Sequence, residues 1–179
     1  MKKLESTWYN MALVLTGIAV VAGAALGYVN SITAPTITAL KAQQEKDAEM
    51  EVLNGQEGTA VKISDPKGFG GTLTVMVGLA PDGTILGYKV LESKETPGLG
   101  AKAKDWFQQG QKGNIIGKKA GKLAVKKDKG GDVDAITAST ITSRAFLRCI
   151  NAAYEELSKD SSNEQSEASQ QADKPDNNI

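Results

Sequence analysis

The sequence contains no histidine and only one cysteine, Cys149, among its 179 residues. Without histidine, the chain lacks the commonest general base, proton shuttle and metal ligand of proteins. A single cysteine cannot form an internal disulfide. Without histidine and with one cysteine, the chain lacks the usual ligands, so zinc, iron–sulfur and haem sites built by this chain alone are not expected. Cys149 lies on the apolar side of a predicted helix, which is typical of a small core residue. Any redox chemistry would then need an organic cofactor.

An excess of charge of either sign is also missing, since 21 Lys and Arg residues balance 21 Asp and Glu residues. The chain therefore has no overall basic field, and no nucleic-acid partner is expected. No acid–base pair and no nucleophile–base pair stands out, so the sequence predicts no catalytic residue and no metal ligand. The length allows one domain of ordinary size with accessory segments.

One long apolar run, Met11–Val29, contains no charged residue and would extend roughly 28 Å as a helix, which matches a bilayer core. We interpret residues 11–31 as an uncleaved transmembrane helix. A cleaved signal peptide and a buried core helix are the alternatives. Lys2 and Lys3 precede the run and no Lys or Arg follows until Lys41, which predicts a cytoplasmic N-terminus, residues 1–10, and an extracytoplasmic remainder.

The segments on either side of the predicted domain, residues 56–157, differ in composition. Residues 32–55 begin a helix pattern at Pro35-Thr36 and end it at Asn54-Gly55, which predicts a helical stalk or a surface helix of the domain. Residues 158–179 contain almost no apolar side chains, which predicts a disordered acidic tail.

Strand patterns begin near Val61 and become clear in two segments. Thr72–Leu79 and Ile85–Leu91 alternate apolar and other residues across a Pro-Asp-Gly turn, which predicts an antiparallel hairpin. We expect a short helix at Lys102–Gln109 and a short strand at Leu123–Val125.

The stretch Asp134–Arg144 contains five Ser or Thr residues and leads into a helix pattern. Such residues at a helix start cap free N–H groups, so a capped helix is the simplest interpretation. An anion site is the alternative, because free amides, the helix dipole, hydroxyls and Arg144 could hold a phosphate. The predicted buried face of the helix consists of Ile141, Ala145, Phe146, Cys149, Ile150, Ala153 and Leu157.

Two glycine-rich segments precede this stretch, Gly68-Phe69-Gly70-Gly71 and Glu95-Thr96-Pro97-Gly98-Leu99-Gly100. The first indicates a glycine-rich loop around one aromatic residue. In the second, proline and two glycines exclude regular structure and allow a close backbone approach to another group.

In this order, the apolar run, the two glycine-rich segments and the hydroxyl-rich stretch resemble the G subunit of the Rnf electron transport complex. More distantly, the chain is similar to the C subunit of the sodium-pumping NADH:quinone reductase. The resemblance covers nearly the whole chain except the tail. It implies an α+β fold: a transmembrane helix and a compact extracytoplasmic FMN-binding domain, whose antiparallel sheet is flanked by helices.

The resemblance also implies a covalent cofactor. In that family the phosphate of FMN is joined to the last threonine of a Ser/Thr-Gly-Ala-Thr motif. The matching residues are Thr137-Ala138-Ser139-Thr140, so Thr140 would be the acceptor. Ala138 and Ser139 depart from the motif, and Ser139 is a competing acceptor. The predicted FMN-binding residues are Thr140, Thr137, Ser139, Thr142, Ser143, Glu95, Thr96, Pro97, Gly98, Leu99, Gly100, Gly70 and Gly71.

As a member of this family, the chain would be a single-pass protein of the bacterial inner membrane that relays electrons between ferredoxin and NAD within an ion-translocating complex. Its partners would be the lipid bilayer, the other membrane and redox subunits of the Rnf complex, and a flavin transferase that attaches FMN. The alternatives are a C-type subunit of a quinone reductase and a membrane-tethered binding module without flavin.

Overall fold

The computed structural model describes residues 8–172 of the chain, which combine helices with one antiparallel sheet. In chain order the elements are α1 (Trp8–Leu53), β1 (Thr59–Gly68), β2 (Gly71–Leu79), β3 (Ile85–Glu92), a 3-10 turn (Gly100–Lys102), α2 (Ala103–Trp106) and α3 (Thr140–Ala172). The chain divides into two compact units between Gln44 and Glu45. The α+β class predicted from the sequence is confirmed.

The first unit is the part of α1 that precedes Glu45, and it contains the predicted transmembrane segment. This part of α1 includes a segment long and apolar enough to cross a membrane, and its side chains are not buried. The sequence predicts a new helix at Pro35, but α1 passes through that residue. On either side, the hydroxyls of Thr33 and Thr38 donate to carbonyls one turn back, at 2.9 Å each. Residues 1–7 of the predicted cytoplasmic N-terminus lie outside the described residues.

The second unit begins with the last turns of α1, which pack on one face of the sheet. Ala48 and Val52 are buried there against Met76 of β2. Gly78 and Gly87 are partners in the β2–β3 register, and a side chain on Gly87 would come within 2.7 Å of the Val52 carbonyl oxygen. Residues 45–53 of the predicted stalk therefore belong with the sheet, as in the alternative interpretation of that segment.

The sheet has the order β1-β2-β3 and is antiparallel throughout. The predicted hairpin is confirmed as β2 and β3, and a second hairpin joins β1 to β2 through Phe69 and Gly70. The alternating residues of β2, namely Leu73, Val75, Val77 and Leu79, are all fully buried in the main core. One sheet face thus carries the main core, as strand periodicity predicts.

Helix α3 supplies the other half of this core through Phe146. Its ring stacks on Phe107 at 4.4 Å and meets Tyr88 edge-on at 4.7 Å. The predicted buried face is correct from Ala145 to Ala153, but Ile141 is 51% exposed. Cys149 is fully buried and burial raises the pKa of its thiol to about 12, as expected for a core residue.

The long connection between α2 and α3 is held by side-chain bonds more than by regular structure. Asn151 of α3 accepts from the backbone N–H groups of Gly121 and Leu123 and donates to the Leu123 carbonyl, at 2.9–3.1 Å. The strand predicted at Leu123–Val125 is wrong, since Val125 forms only an isolated bridge with Val133. The predicted helix at Lys102–Gln109 is present in shorter form as the 3-10 turn and α2.

Helix α3 extends to Ala172, into the segment predicted to be disordered from residue 158 onward. Residues 158–172 contain neither glycine nor proline, so no helix-breaking residue interrupts the pattern that begins in the core. Residues 173–179 of the predicted tail lie outside the described residues.

A salt bridge ties α3 to the end of β1. Arg148 Nε donates to Asp65 Oδ2 at 2.6 Å, and the Lys67 N–H donates to Asp65 Oδ1 at 2.6 Å. Burial of Asp65 acts to raise the pKa of its carboxyl, but these hydrogen bonds and the Arg148 charge outweigh burial, and the pKa lies below its ordinary value.

The turn that enters α3 contains a residue in a strained conformation. Ala138 has a φ of 60°, in the left-handed region that favours glycine. The turn is closed by a hydrogen bond from the Ser139 N–H to the Ile136 carbonyl at 3.0 Å. Ala138, which stands where the family motif has glycine, therefore adopts a backbone conformation that favours glycine.

We expect Ala138→Gly to raise the free energy of unfolding by about 0.5–1 kcal/mol, because relief of left-handed strain exceeds the extra chain entropy of glycine. Urea unfolding followed by tryptophan fluorescence measures the change. Ala135→Gly is the matched control, since Ala135 has no positive φ, and it should lower stability. A loss of stability in both variants would contradict the strain at Ala138.

We expect Asp65→Asn to lower the free energy of unfolding at pH 7 by about 1 kcal/mol, because the partly exposed Arg148 loses its charged partner. Since the folded-state pKa of Asp65 is depressed, its contribution is complete above the unfolded value of about 4 and is lost as pH falls through the folded value. Urea titrations between pH 7 and pH 2 should therefore show a weaker acid dependence in the variant. An unchanged acid dependence would argue against the pair.

Candidate functional site

A cavity of about 360 Å³ lies where the β1–β2 hairpin, the segment after β3 and the start of α3 meet. The residues that line it are Phe69, Glu95, Thr96, Leu99, Gly100, Ala138, Ser139, Thr140, Ile141 and Thr142. Its volume falls within the range of small-molecule sites. The lining combines exposed apolar side chains with clustered hydroxyls, which suits a ligand that has both an apolar and a polar part.

The hydroxyl-rich stretch forms the cap of α3. The Ser139 carbonyl accepts from the Ser143 N–H at 3.0 Å, which is the first hydrogen bond of the helix. The Ser143 hydroxyl donates to the same carbonyl at 2.9 Å and accepts from the Ile136 N–H at 2.9 Å. Ser143 thus holds the turn from inside the protein. The sequence predicts a helix start within the hydroxyl-rich stretch, and α3 begins there at Thr140.

The first turn of α3 leaves backbone donors available at the cavity. Within residues 8–172, the N–H groups of Thr140, Ile141 and Thr142 have no protein acceptor, as is usual for the first turn of a helix. All three residues line the cavity. Free amides and the positive end of the helix dipole favour an anionic group at this position.

The three hydroxyls of the motif differ in their availability. Ser139 is buried, and its Oγ shares a hydrogen bond of 3.2 Å with Thr142 Oγ1. Thr137 is exposed and does not line the cavity. Thr140 is half-buried at the cavity, and its hydroxyl makes no hydrogen bond to any described residue. Thr140 therefore presents the most available hydroxyl to a ligand.

The segment Glu95–Gly100 forms the opposite wall through a tight turn. The Thr96 carbonyl accepts from the Leu99 N–H at 3.1 Å and the Ala101 N–H at 3.2 Å. Gly98 makes this turn possible with a φ of 77°. The turn places Leu99, which is 42% exposed, in the cavity lining.

Glu95 connects this wall to the β1–β2 hairpin. Its Oε1 accepts from the Gly70 N–H at 3.1 Å, and its side chain is buried. A side chain on Gly70 would collide with the backbone at Lys94, so glycine is required for the two segments to touch. Among the described residues that line the cavity, Glu95 alone carries a charge.

The structure brings one part of the predicted binding set together and leaves the other part outside the cavity. The predicted residues that line it are Glu95, Thr96, Leu99, Gly100, Ser139, Thr140 and Thr142. The predicted residues that do not line it are Gly70, Gly71, Pro97, Gly98, Thr137 and Ser143. Gly70, Gly98 and Ser143 support the walls instead, through the contacts described above.

Sequence reasoning missed three lining residues, Phe69, Ala138 and Ile141. Phe69 is 69% exposed at the hairpin tip, where its position as the one aromatic residue among glycines was the available signal. Ile141 was assigned to the core because it fits the helix period. Periodicity cannot show that the first turn of α3 faces the cavity rather than the sheet.

Arg144 was a candidate partner for a phosphate, but it does not line the cavity. Its Nε and Nη2 donate to the two carboxylate oxygens of Asp128 at 2.9 and 2.5 Å. The hydrogen bond from Arg144 lowers the pKa of the Asp128 carboxyl. No Lys or Arg is among the described residues of the cavity wall.

Comparison with known proteins identifies the part of the chain that carries the cavity. Residues 68–155 match the FMN-binding domain family, and this range includes all three lining segments. The chain is 31% identical to the G subunit of the Na(+)-translocating ferredoxin:NAD(+) oxidoreductase complex of Acetobacterium woodii, over 88% of this chain and 98% of that protein.

Two further relatives match over a shorter range. The G subunit of the ion-translocating oxidoreductase complex of Vibrio atlanticus is 36% identical over 65% of this chain and 57% of its own length. The G subunit of the proton-translocating ferredoxin:NAD(+) oxidoreductase complex of Clostridium ljungdahlii is 38% identical over 52% and 50%. The chain thus spans about half the length of these two relatives and nearly all of the first. It belongs to the family of G subunits of ion-translocating, Rnf-type oxidoreductase complexes, and it contains their FMN-binding domain.

Proposed function

We propose that the chain is the covalently flavinylated electron-transfer subunit of an Rnf-type ion-translocating ferredoxin:NAD oxidoreductase. The observation that carries the proposal is the Thr140 hydroxyl, which lies in the cavity of an FMN-binding domain without a protein partner among the described residues. The G-subunit relatives favour this assignment over a C-type subunit of a quinone reductase. Bound FMN supplies one- and two-electron chemistry that the side chains cannot provide.

Thr140 is the proposed attachment point, through a phosphoester with FMN. Its position as the first residue of α3 would hold the phosphate against the free N–H groups of the first turn. Ser139 is the weaker candidate, because its side chain is buried and already bonded to Thr142. Thr142 is fully buried, which leaves Thr140 as the accessible hydroxyl of this turn.

The charges of the site favour a covalent link over simple binding. The described lining residues include no Lys or Arg that would pair with the phosphate, and they include the carboxyl group of Glu95. Only backbone amides and the helix dipole would then offset the phosphate charge, an effect of about 1 kcal/mol. A cofactor held so weakly by electrostatics would dissociate from a protein facing the outside, and a phosphoester prevents that loss.

The remaining lining residues suit the flavin ring. Phe69, Leu99 and Ile141 are 69%, 42% and 51% exposed, and each lines the cavity. An aromatic ring packed on these side chains would bury apolar area that otherwise faces water. Glycine at position 100 lets the segment after β3 pack closely against the start of α3, because a side chain there would collide with Glu95 and Thr142.

Attachment of FMN would require a separate flavin transferase. A threonine hydroxyl is a weak nucleophile unless an adjacent base activates it. The chain contains no histidine, and no described residue accepts a hydrogen bond from the Thr140 hydroxyl. The protein would present the acceptor hydroxyl. The transferase would supply a base for the hydroxyl proton and a flavin donor with a leaving group on the FMN phosphorus, which departs as the Thr140 oxygen forms the phosphoester.

The apolar segment of α1 is proposed as a single-pass anchor in the inner membrane. Residues 1–10 would lie in the cytoplasm and the FMN-binding domain outside, as the early lysines favour. The other redox and membrane subunits of the complex would donate electrons to the domain and accept them from it. The proposed domain boundaries are those predicted from the sequence, with residues 45–53 packed on the sheet.

We expect Thr140→Val to abolish covalent flavin, because no phosphoester can form without the hydroxyl. The protein is produced in a host with a flavin transferase and examined on a denaturing gel under ultraviolet light, followed by mass spectrometry of the peptide of residues 130–144. Ser139→Ala is the matched control and should retain the fluorescent band. A band that survives Thr140→Val and disappears in Ser139→Ala would move the attachment to Ser139.

We expect alkaline phosphatase fused to the C-terminus to be active and green fluorescent protein at the same position to be dark, because the positive-inside bias places the domain outside the cytoplasm. Phosphatase activity and cell fluorescence measure the orientation. Bright fluorescence with an inactive phosphatase would reverse the proposed topology.

A further inference from the structure

Glu95 has one carboxylate oxygen with a partner and one without. Oε1 accepts from the Gly70 N–H at 3.1 Å. Oε2 is buried and has no hydrogen-bond partner among the described residues. The whole residue is only 8% exposed, and it lines the cavity. Glu95 therefore places a buried carboxylate, with one unpartnered oxygen, beside the proposed flavin site.

An unpaired buried carboxylate oxygen is costly, and most buried polar atoms in native proteins have a partner. Here Gly100 packs directly against it. A side chain on Gly100 would collide with Glu95 Oε2 and come within 2.8 Å of Thr142 Oγ1. Glycine at this position thus lets the backbone cover the oxygen without supplying a donor.

The rigidity of Glu95 follows from its contacts on the opposite side. The Gly70 N–H fixes Oε1, and the Glu95 backbone N–H donates to Ser93 Oγ at 3.3 Å. A side chain on Gly68 would come within 2.9 Å of Oε1, so the hairpin packs closely behind the carboxylate. With Oε1 held, rotation of the carboxylate away from the cavity would break an existing hydrogen bond.

We propose that the charge of the Glu95 carboxylate, held beside the cavity, lowers the midpoint potential of the bound flavin. This inference rests on the proposed function. Reduction adds electrons to the flavin, so a fixed negative charge nearby opposes it. No described lining residue supplies a compensating cation, and burial strengthens the effect.

The test compares flavin-loaded Glu95→Gln with the wild type by potentiometric titration at pH 7. Glutamine keeps the size of the side chain and can accept from the Gly70 N–H, but it removes the charge and places an N–H₂ donor at the position of Oε2. We expect the equilibrium constant for two-electron reduction to rise about tenfold, a shift of about +30 mV. Glu92→Gln is the matched control at an exposed position of β3, and its potential should not change.

The outcomes separate this inference from the proposed function. A wild-type protein without covalent FMN would overturn the proposed function, and the inference with it. A loaded Glu95→Gln protein with the wild-type potential would overturn the inference alone. So would an equal shift in Glu92→Gln, because the effect would then not depend on contact with the cavity.

A second measurement covers the case in which Glu95→Gln does not fold or load. Wild-type holo-protein carrying ¹³C-labelled glutamate is compared by infrared difference spectroscopy in the oxidised and reduced states. A carboxylate beside the flavin experiences the charge that reduction adds, so we expect an isotope-sensitive carboxylate band in the difference spectrum. The absence of such a band would overturn the proposal.

Discussion

The cavity depends on the hydrogen bonds that Ser143 makes from inside the first turn of α3. Its hydroxyl accepts from the Ile136 N–H and donates to the Ser139 carbonyl, and this closes the turn that contains the strained Ala138. A hydroxyl that does not itself line the cavity thereby orients Thr140 and the free amides next to it. The strain at Ala138 persists because these bonds and the packing of α3 hold the turn.

The sheet and α3 provide the rigid frame on which this turn is fixed. Phe146 packs between Phe107 and Tyr88, while the Tyr88 hydroxyl donates to the Ala103 carbonyl at 2.9 Å and accepts from the Phe107 N–H at 3.2 Å. These contacts join α3, β3 and the segment that follows Gly100. Loops that carry function are commonly positioned by such a frame. The cavity walls are therefore loops whose ends are fixed in one core.

Local sequence patterns correctly predicted the elements of the fold whose structure depends mainly on residues close by in the chain. The β2–β3 hairpin follows from alternation, and the start of α3 follows from its Ser and Thr residues. The sequence patterns gave wrong predictions where contacts between distant segments determine the local structure. Leu123–Val125 is apolar enough for a strand but has no strand beside it, and Ile141 fits the helix period but faces the cavity.

By itself, the sequence determined the class of fold, the apolar segment of α1, and the residues that resemble a flavin-attachment motif, because each depends on residue type and spacing along the chain. The tertiary structure decided which hydroxyl is accessible, how Gly70 and Gly100 border Glu95, and which apolar side chains face the cavity. These features depend on distances between segments about 70 residues apart, such as Phe69 and Ser139. Such distances exist only once the core has formed.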